Sequence, residues 1–380
     1  MRWELKWNQN QKLIVLLVTT MLLCNGCWDK KELNQLALVQ MAAVDYNDDS
    51  YQVTLQLILP SADQDMVTGN NLWTMRGDGS SVGEALQQIA QAAPRELYLD
   101  HLTVVLLGEG LLSQNIEQGI EFLLKENVLR RRTSLLAVQG NAGDLLTESA
   151  KLAKMDIYYI ENLIKDQKRR VHGGNAIINE HYLSTYNGVQ ETFMIPRIVL
   201  EESHLRLDGA ALVQTGTLIT WEDRAWLQGY YWTTGGKDVI TLPYSDLMTN
   251  SESVELENKA NGQIVIELQK KACKWEVVSE KPLEIKVHLH GSIKLVSGYD
   301  SWKNSIEANE VSMQIQRLVE QKALEELNNT VQKAQQNKTD AFHLGRWLYA
   351  WYPQLVEAEN WSEQFAKVSI LYDVKTSIEV

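Results

Sequence analysis

Polar and apolar residues alternate over 51–59, which places four aliphatic side chains on one face of an extended chain: Val53, Leu55, Leu57 and Leu59. A nearly continuous apolar run covers 35–44, and the polar residues 47–50 separate the two segments. A polar turn between two strand patterns is typical of a hairpin. We therefore expect the first domain to begin with two paired strands.

The segment after residue 80 has the period of a helix. Ser81 and Glu84 form a capping-box pattern, and apolar residues then recur at helical spacing: Val82, Ala85, Leu86 and Ile89. Farther along, short apolar segments at 102–107 and 135–138 predict buried strands, and the periodic stretch 116–129 between them predicts a helix. Strands that alternate with helices indicate a layered α+β domain.

The middle of the chain is predicted to be mostly helical, with helices at 144–153, 156–168 and near 179–186. The double glycine Gly173-Gly174 is the clearest internal break in the pattern. We expect a boundary between compact units near this point.

The last part of the chain returns to strands and then to one long helix. Strand patterns cover four segments: 193–200, 205–220, 254–296 and 365–374. The longest helix is predicted over 306–335, where one apolar stripe runs along it: Val311, Ile315, Leu318, Val319, Ala323, Leu327 and Val331. Such a stripe needs a sheet to cover.

These patterns together predict an α+β fold with several domains, largely antiparallel sheets and a long helix in the C-terminal domain. About 354 mature residues correspond to two or three domains of ordinary size. We divide the chain into a signal peptide at 1–26, an N-terminal α+β domain at 27–140, a mostly helical middle domain at 141–204 and a C-terminal α+β domain at 205–380.

The first 26 residues have the three parts of an export signal. Three basic residues precede the apolar stretch 13–23, and Gly26 stands directly before Cys27. The apolar stretch is shorter than the ~20 residues that a membrane-spanning helix needs. We therefore interpret 1–26 as a lipoprotein signal peptide and Cys27 as the residue that carries the lipid. An anchor helix and an ordinary cleaved secretory signal are the alternatives.

The charge and the cysteine count limit the possible partners. Residues 1–26 hold three bases and one acid, so that removing them changes the formal net charge from −13 to −15. An acidic chain argues against nucleic acid and against electrostatic docking on anionic lipid. Cys24 leaves with the signal and Cys27 would be acylated, so that only Cys273 remains and no intramolecular disulfide is expected.

Two patterns raise the question of a ligand or metal site. Gly77, Gly79 and Gly83 do not have the spacing of a dinucleotide-binding loop, and they favour a capped helix start. His288 and His290 lie two apart on a predicted strand and could face one metal ion. A third ligand is not evident nearby, so we prefer a solvent-facing pair. We expect no metal and no cofactor.

Other features are compatible with binding to a protein partner. The basic runs 130–132 and 168–170 could meet an acidic surface, although solvated helix ends explain them as well. Tryptophan is concentrated in the last 160 residues, where most of it is expected in the core and one or two residues at a docking surface. We find no Ser/His/Asp, Cys/His or paired-carboxylate pattern, so that no catalytic centre is indicated, and an enzyme without such a motif stays an alternative.

The opening of the mature chain, Gly26-Cys27-Trp28-Asp29-Lys30-Lys31-Glu32-Leu33, resembles the start of the C subunits of bacterial spore germinant receptors, the Ger(x)C lipoproteins. Further matches extend over nearly all of the mature length: Ala43-Val44-Asp45, Leu207-Asp208-Gly209-Ala210-Ala211-Leu212, Gly216, Trp226-Leu227, Val239-Ile240 and Trp361. The segment 340–345 departs from the family, which usually has a Gly-x-Gly turn there. This chain keeps Gly345 but has His343 at the first glycine position, so we expect a turn of different shape.

The resemblance implies a non-catalytic, three-domain lipoprotein on the outer face of the spore inner membrane. It implies lipid attachment at Cys27, through acyl chains such as palmitate, and assembly with an integral membrane A subunit and a transporter-like B subunit that respond to nutrients. Direct contact of this subunit with a nutrient stays open. A lipid-anchored solute-binding protein of a transporter is the alternative function, and a surface hydrolase is a third possibility.

Overall fold

The computed structural model describes residues 8–10, 13–14, 33–60, 72–125, 133–151, 160, 162–164, 192–202, 204–234, 236–243, 263–297 and 308–379. Several predictions lie outside these residues: the lipid-attachment residue Cys27, the opening positions Trp28, Asp29 and Glu32, both basic runs and the helix near 179–186. Within the described part, no helix is both long and apolar enough to span a bilayer.

One large mixed sheet holds the strands of the first half of the described chain. Its members are β1 (Leu36–Asn47), β2 (Ser50–Ile58), β3 (Leu72–Gly79), β4 (Glu96–Tyr98), β5 (Val104–Gly108), β6 (Ser134–Val138), β7 (Thr192–Glu201), β8 (His204–Gln214) and β9 (Thr217–Glu222). They follow the order β3-β2-β1-β5-β6-β7-β8-β9, and β4 pairs with the start of β1. The central strands β1, β5, β6 and β7 are parallel, while the outer pairs are antiparallel.

A second sheet is formed by β10 (Gly236–Pro243), β11 (Gln263–Glu280), β12 (Leu283–Ser297) and β13 (Ser369–Glu379), in this order. Strands β10 and β12 are both antiparallel to β11, and β13 is parallel to β12. The predicted α+β class with largely antiparallel sheets is confirmed.

The helices cover these sheets. They are α1 (Val82–Ala92), α2 (Glu109–Gln114), α3 (Ile116–Lys125), α4 (Ala142–Lys151), α5 (Arg224–Thr234), α6 (Ala308–Gln336), α7 (Leu344–Trp351) and α8 (Trp361–Phe365). Helices α1 to α3 pack on one face of the first sheet, and α4 packs on the other. The centre of that sheet is therefore buried on both sides, which explains why β5 and β6 are continuous apolar runs.

The predicted start of α1 is confirmed. The hydroxyl of Ser81 accepts a hydrogen bond from the amide of Glu84 at 3.2 Å, as a capping residue does. A side chain at Gly77 would come within 2.5 Å of the carbonyl oxygen of Ala85. The glycines before α1 therefore let the helix pack closely against β3.

The long helix is also confirmed, since α6 spans Ala308–Gln336 where 306–335 was expected. Its stripe packs against the aliphatic face of the second sheet and contains four fully buried residues: Ile315, Val319, Ala323 and Leu327. The same helix closes the edge of β13, because Glu320 accepts a hydrogen bond from the Thr376 amide at 2.8 Å and Gln316 donates one to the Thr376 carbonyl at 2.9 Å. These bonds occupy the outward backbone groups of Thr376, so that this part of the edge is not available to another chain.

Two predictions about elements are wrong. The sequence before α1 was interpreted without a strand, but Leu72–Gly79 forms β3, which is held by eight residue pairings with β2. The last strand was expected over 365–374, but Phe365 ends α8 and β13 begins at Ser369. The division into domains at 27–140, 141–204 and 205–380 stays a prediction.

Candidate functional site

Four of the positions named by the resemblance lie around the C-terminal end of α6: Asp208, Gly209, Gly345 and Trp361. Asp208 and Gly209 lie in the middle of β8, on the first sheet. Gly345 lies in the first turn of α7, and Trp361 is the first residue of α8. Both helices follow α6 in the chain. We call the region in which β8, β9, α5 and the segments 331–365 meet the junction.

Asp208 lies between two guanidinium groups. Arg206 contacts its Oδ1 at 3.0 Å, and Arg197 contacts its Oδ2 at 3.3 Å while donating from Nε to its carbonyl oxygen at 2.6 Å. Arg197 also donates to the Oε1 of Gln139 at 2.8 Å and lies over the ring of Trp221, 5.9 Å from its centroid. The aspartate therefore ties β7 and β8 together, and Arg197 extends this link to the end of β6 and to β9.

Gly209 is required by both its backbone conformation and its surroundings. Its φ is 77°, in the left-handed region that favours glycine. A Cβ at this position would lie 2.1 Å from the carbonyl oxygen of Glu222 on β9. The pair Asp208-Gly209 thus allows β9 to approach β8 closely.

Glu222 connects the first sheet to the long helix. Its side chain is fully buried, and its Oε2 lies 2.6 Å from the Nζ of Lys333 on α6. Burial raises the pKa of this carboxyl, and the positive charge of Lys333 opposes the rise. The ion pair fixes the end of α6 against β9.

Asp340, just beyond α6, joins two of the positions named by the resemblance. Its carboxylate accepts hydrogen bonds from the amide of Leu344 at 3.0 Å, from the amide of Gly345 at 2.7 Å and from the indole of Trp361 at 2.8 Å. A Cβ at Gly345 would lie 2.4 Å from the indole nitrogen. Because Gly345 has no side chain, the indole of the buried Trp361 can approach closely enough to donate its hydrogen bond to Asp340.

His343 has a left-handed backbone conformation, which non-glycine residues seldom adopt. Its φ of 56° and ψ of 32° lie in the left-handed region, directly before α7. Glycine adopts this region more readily than other residues do, and the expectation of a turn of different shape stays a prediction.

An aromatic core fills the junction. Trp226 and Tyr230 of α5 stack with ring centroids 5.6 Å apart, and Phe342 packs against both rings. The same cluster includes Leu212 of the first sheet and Ile285 of the second. Burial raises the pKa of Tyr230 to about 12. The two sheets therefore share one apolar core at this place.

A second polar cluster lies at the carboxyl ends of β1, β5 and β6, where α/β folds often bind ligands. Asp45, at the end of the Ala43-Val44-Asp45 match, accepts hydrogen bonds from the first two amides of α4, those of Ala142 at 2.7 Å and Gly143 at 2.8 Å. Burial raises the pKa of Asp45, and these two bonds oppose the rise. The protein's own carboxylate thus occupies the N-terminus of α4.

Glu109 links this cluster to the junction. Its carboxylate accepts one hydrogen bond from the amide of Gly140 at 3.0 Å and another from the indole of Trp221 at 2.9 Å. Trp221 precedes Glu222 directly, so β9 is held on one side by the loops after β5 and β6 and on the other by α6.

The two histidines singled out in the sequence are not brought together as a metal site. Each ring nitrogen of His288 faces a carboxylate oxygen, that of Glu276 at 2.7 Å and that of Asp373 at 3.1 Å. His290 lies opposite Ala272 and Lys375 in the sheet register. Over the described ranges, no three or more His, Cys, Asp or Glu residues are placed to hold a metal ion.

Sequence reasoning named Asp208, Gly209, Gly345 and Trp361 but missed their partners Glu222 and Asp340. Asp340 belongs to the segment 340–345, in which the sequence differs from the family at His343. Its position before a glycine turn could therefore have indicated that Asp340 has a structural role. Glu222 had none, because an acidic residue at a strand end is ordinarily solvated.

A large mixed sheet, a junction built around buried polar pairs and a long helix over a small sheet define an α+β protein with two sheets. The family model "Spore germination protein N-terminal domain" matches residues 29–200, and "Spore germination B3/ GerAC like, C-terminal" matches residues 208–380. The chain belongs to the Ger(x)C family of spore germination proteins.

Individual relatives are similar over almost the whole chain. Spore germination protein B3 of Bacillus subtilis (strain 168) is 25% identical over 381 residues, which cover 97% of this chain and 96% of that protein. Spore germination protein KC of the same organism is 23% identical, with 93% and 91% covered. The crystal structure of the GerBC protein has the same fold, with a TM-score of 0.51, 20% identity and coverage of 89% of this chain and 97% of that one.

Proposed function

We propose that this chain is the lipid-anchored, non-catalytic C subunit of a nutrient germinant receptor, and that it assembles with integral membrane A and B subunits in the spore inner membrane. The observation that carries the proposal is the match to both family models, which together extend from residue 29 to the C-terminus. Membership of this germination family goes together with association with the spore membrane. The lipobox-like sequence before Cys27 supports attachment through lipid on the outer face.

The anchor acts through effective concentration. Two or more acyl chains on one residue hold a protein at a bilayer far longer than a single chain, because each buried methylene contributes about 0.8 kcal/mol. A body confined to a thin layer meets membrane subunits at high local concentration, so modest contacts suffice for assembly. The junction holds the two sheets as one body, so that the tether at the N-terminus also positions the C-terminal sheet.

Replacement of the lipid-bearing residue tests this function. Cys27→Ala should abolish incorporation of labelled fatty acid and weaken nutrient-triggered germination of spores that carry the variant as their single copy. Cys273→Ala is the matched control, because it removes a thiol that lies far outside the signal and the lipobox-like sequence, and it should leave both readouts unchanged. Normal germination with a chain shown to be free of lipid would overturn the proposal.

The alternative of a solute-binding protein receives less support from the described residues. In that class a ligand lies in a cleft between two lobes, whereas Asp45 here fills the helix N-terminus at the carboxyl ends of the parallel strands. Calorimetry of the purified protein against amino acids and sugars separates the two functions. Tight binding of one molecule per chain would favour the alternative.

A further inference from the structure

Trp73 is a large apolar side chain with half of its surface exposed, and among the tryptophans on the described strands it alone is exposed. It lies on β3, which is the outermost strand of the first sheet, so that no strand adjoins it on one side among the described residues. Its partner on β2 is the fully buried Leu57. An exposed tryptophan beside a buried aliphatic core is the kind of residue that binds an apolar surface.

The sheet register places Trp73 at the end of the first sheet where β1 begins. Cys27 precedes β1 in the sequence, so the lipid-bearing residue is connected to the sheet at this end. Val39 of β1 pairs with Leu57, and Leu57 pairs with Trp73, so Trp73 is two strands away from β1 and three residues from the level of its start at Leu36. With ~4.8 Å between strands and ~3.4 Å per residue, Trp73 lies ~14 Å from the start of β1.

The length of chain before β1 limits how far this end can be from lipid. Six residue spacings separate Cys27 from Leu33, and the 3-10 turn Leu33–Gln35 then leads into β1. At no more than ~3.4 Å per extended residue and ~2 Å per residue of 3-10 turn, Leu36 is within ~27 Å of the acylated residue. The opposite end of β1 lies ~37 Å from Leu36, the length of a twelve-residue strand, so the tether allows it to be much farther from the lipid.

We propose, on the basis of the anchoring at Cys27 described above, that the end of the first sheet at which β1 begins rests on the bilayer, with Trp73 inserted into the headgroup region. Tryptophan is favoured at this depth because its ring is apolar while its N–H can still donate to water or lipid oxygen. The anchor and Trp73 then fix the orientation of the body relative to the membrane, which a single flexible tether does not.

Quenching of tryptophan fluorescence by brominated phosphatidylcholine tests this orientation. The full acylated protein is reconstituted in vesicles of this lipid without other proteins, in a Trp28→Phe background because Trp28 adjoins the lipid-bearing residue. Trp73→Phe should remove most of the lipid-dependent quenching. Trp351→Phe is the matched control, since Trp351 is 72% exposed but belongs to α7, and it should leave the quenching unchanged.

Each outcome has a distinct meaning. Equal quenching in the parent and in the Trp73→Phe variant would overturn the inserted position of Trp73, as would a loss of quenching with Trp351→Phe alone. A mass spectrum that shows Cys27 without acyl chains would instead contradict the proposed anchoring. Burial of Trp73 that occurs only after the membrane subunits are added would assign this surface to a protein and overturn the contact with lipid.

Discussion

Gly209 and Gly140 have the same kind of backbone and different surroundings. Both have positive φ, 77° and 102°, but a Cβ at Gly209 would meet the Glu222 carbonyl at 2.1 Å, while a Cβ at Gly140 would meet nothing within 4 Å. We expect Gly209→Ala to lower the free energy of unfolding by about 3 kcal/mol or more, because β8 and β9 must separate. Gly140→Ala should cost only about 1–2 kcal/mol, the cost of the left-handed conformation.

Urea denaturation of a chain that begins at Trp28 measures both variants. Similar losses of stability in the two would show that the close approach of β9 to Gly209 does not matter, and that backbone conformation alone explains the glycine at this position.

Glu222 gives the stability of the junction a dependence on pH. Burial raises the pKa of Glu222 in the folded protein, so the folded state holds its proton more tightly than the unfolded state does. The stabilisation linked to this proton is complete below the ordinary carboxyl pKa of 4.5 and is lost as the pH rises through the folded-state pKa. Glu222→Gln, which cannot titrate, should therefore gain stability relative to the parent as the pH rises above 4.5.

Denaturation of both proteins in urea at a series of pH values checks this sign. A difference in unfolding free energy that stays constant with pH, or that moves in the opposite direction, would contradict a raised pKa for Glu222. Lys333→Met in both backgrounds measures how far the lysine charge offsets the cost of burial.

At the level of elements, α6 both covers the second sheet and closes its edge at β13. We expect Glu320→Ala to lower stability by about 1–2 kcal/mol, because the Thr376 amide and hydroxyl lose their acceptor. It should also promote association through the exposed edge. Glu320→Gln keeps an acceptor oxygen and should differ little from the parent in thermal denaturation and in light scattering. Equal behaviour of the two variants would show that Glu320 does not protect the edge.

Helices and strands in which apolar residues recur at a regular spacing could be predicted from the sequence. Elements that form only because they pair with another part of the chain could not. The stripe of α6 is visible because one face of a helix packs on a whole sheet, and the period is then repeated over many turns. β3 contains Arg76, Gly77, Asp78 and Gly79, which look like a loop, and its pairing with β2 makes it a strand. Phe365 was assigned to a strand because an aromatic residue next to an apolar run suits either element.

The site shows the same limit. The resemblance named Gly209 and Trp361, but their roles depend on Glu222 and Asp340, which are brought close by the meeting of separate segments. A glycine that makes room for another strand has no local signature, because the contact exists only after distant segments pack. The place of Asp340 before a glycine turn was a signal, but it did not show that an indole would be its partner.

For the whole molecule, the shared aromatic core and the Glu222–Lys333 pair make the two sheets one body at the junction. A lipid at Cys27 would therefore place every surface of the chain at a limited height above the bilayer. This is the property that a receptor subunit needs if its partners are integral membrane proteins, and it leaves open which surface they contact.

Affinity purification of the tagged chain from detergent-solubilised spore inner membranes, followed by mass spectrometry, tests the proposed function most directly. We predict that the integral membrane A and B subunits are recovered together with the chain in comparable amounts, and that Cys27→Ala reduces their recovery. Recovery of the acylated chain without either subunit, under conditions that keep other membrane complexes intact, would contradict its role in a germinant receptor.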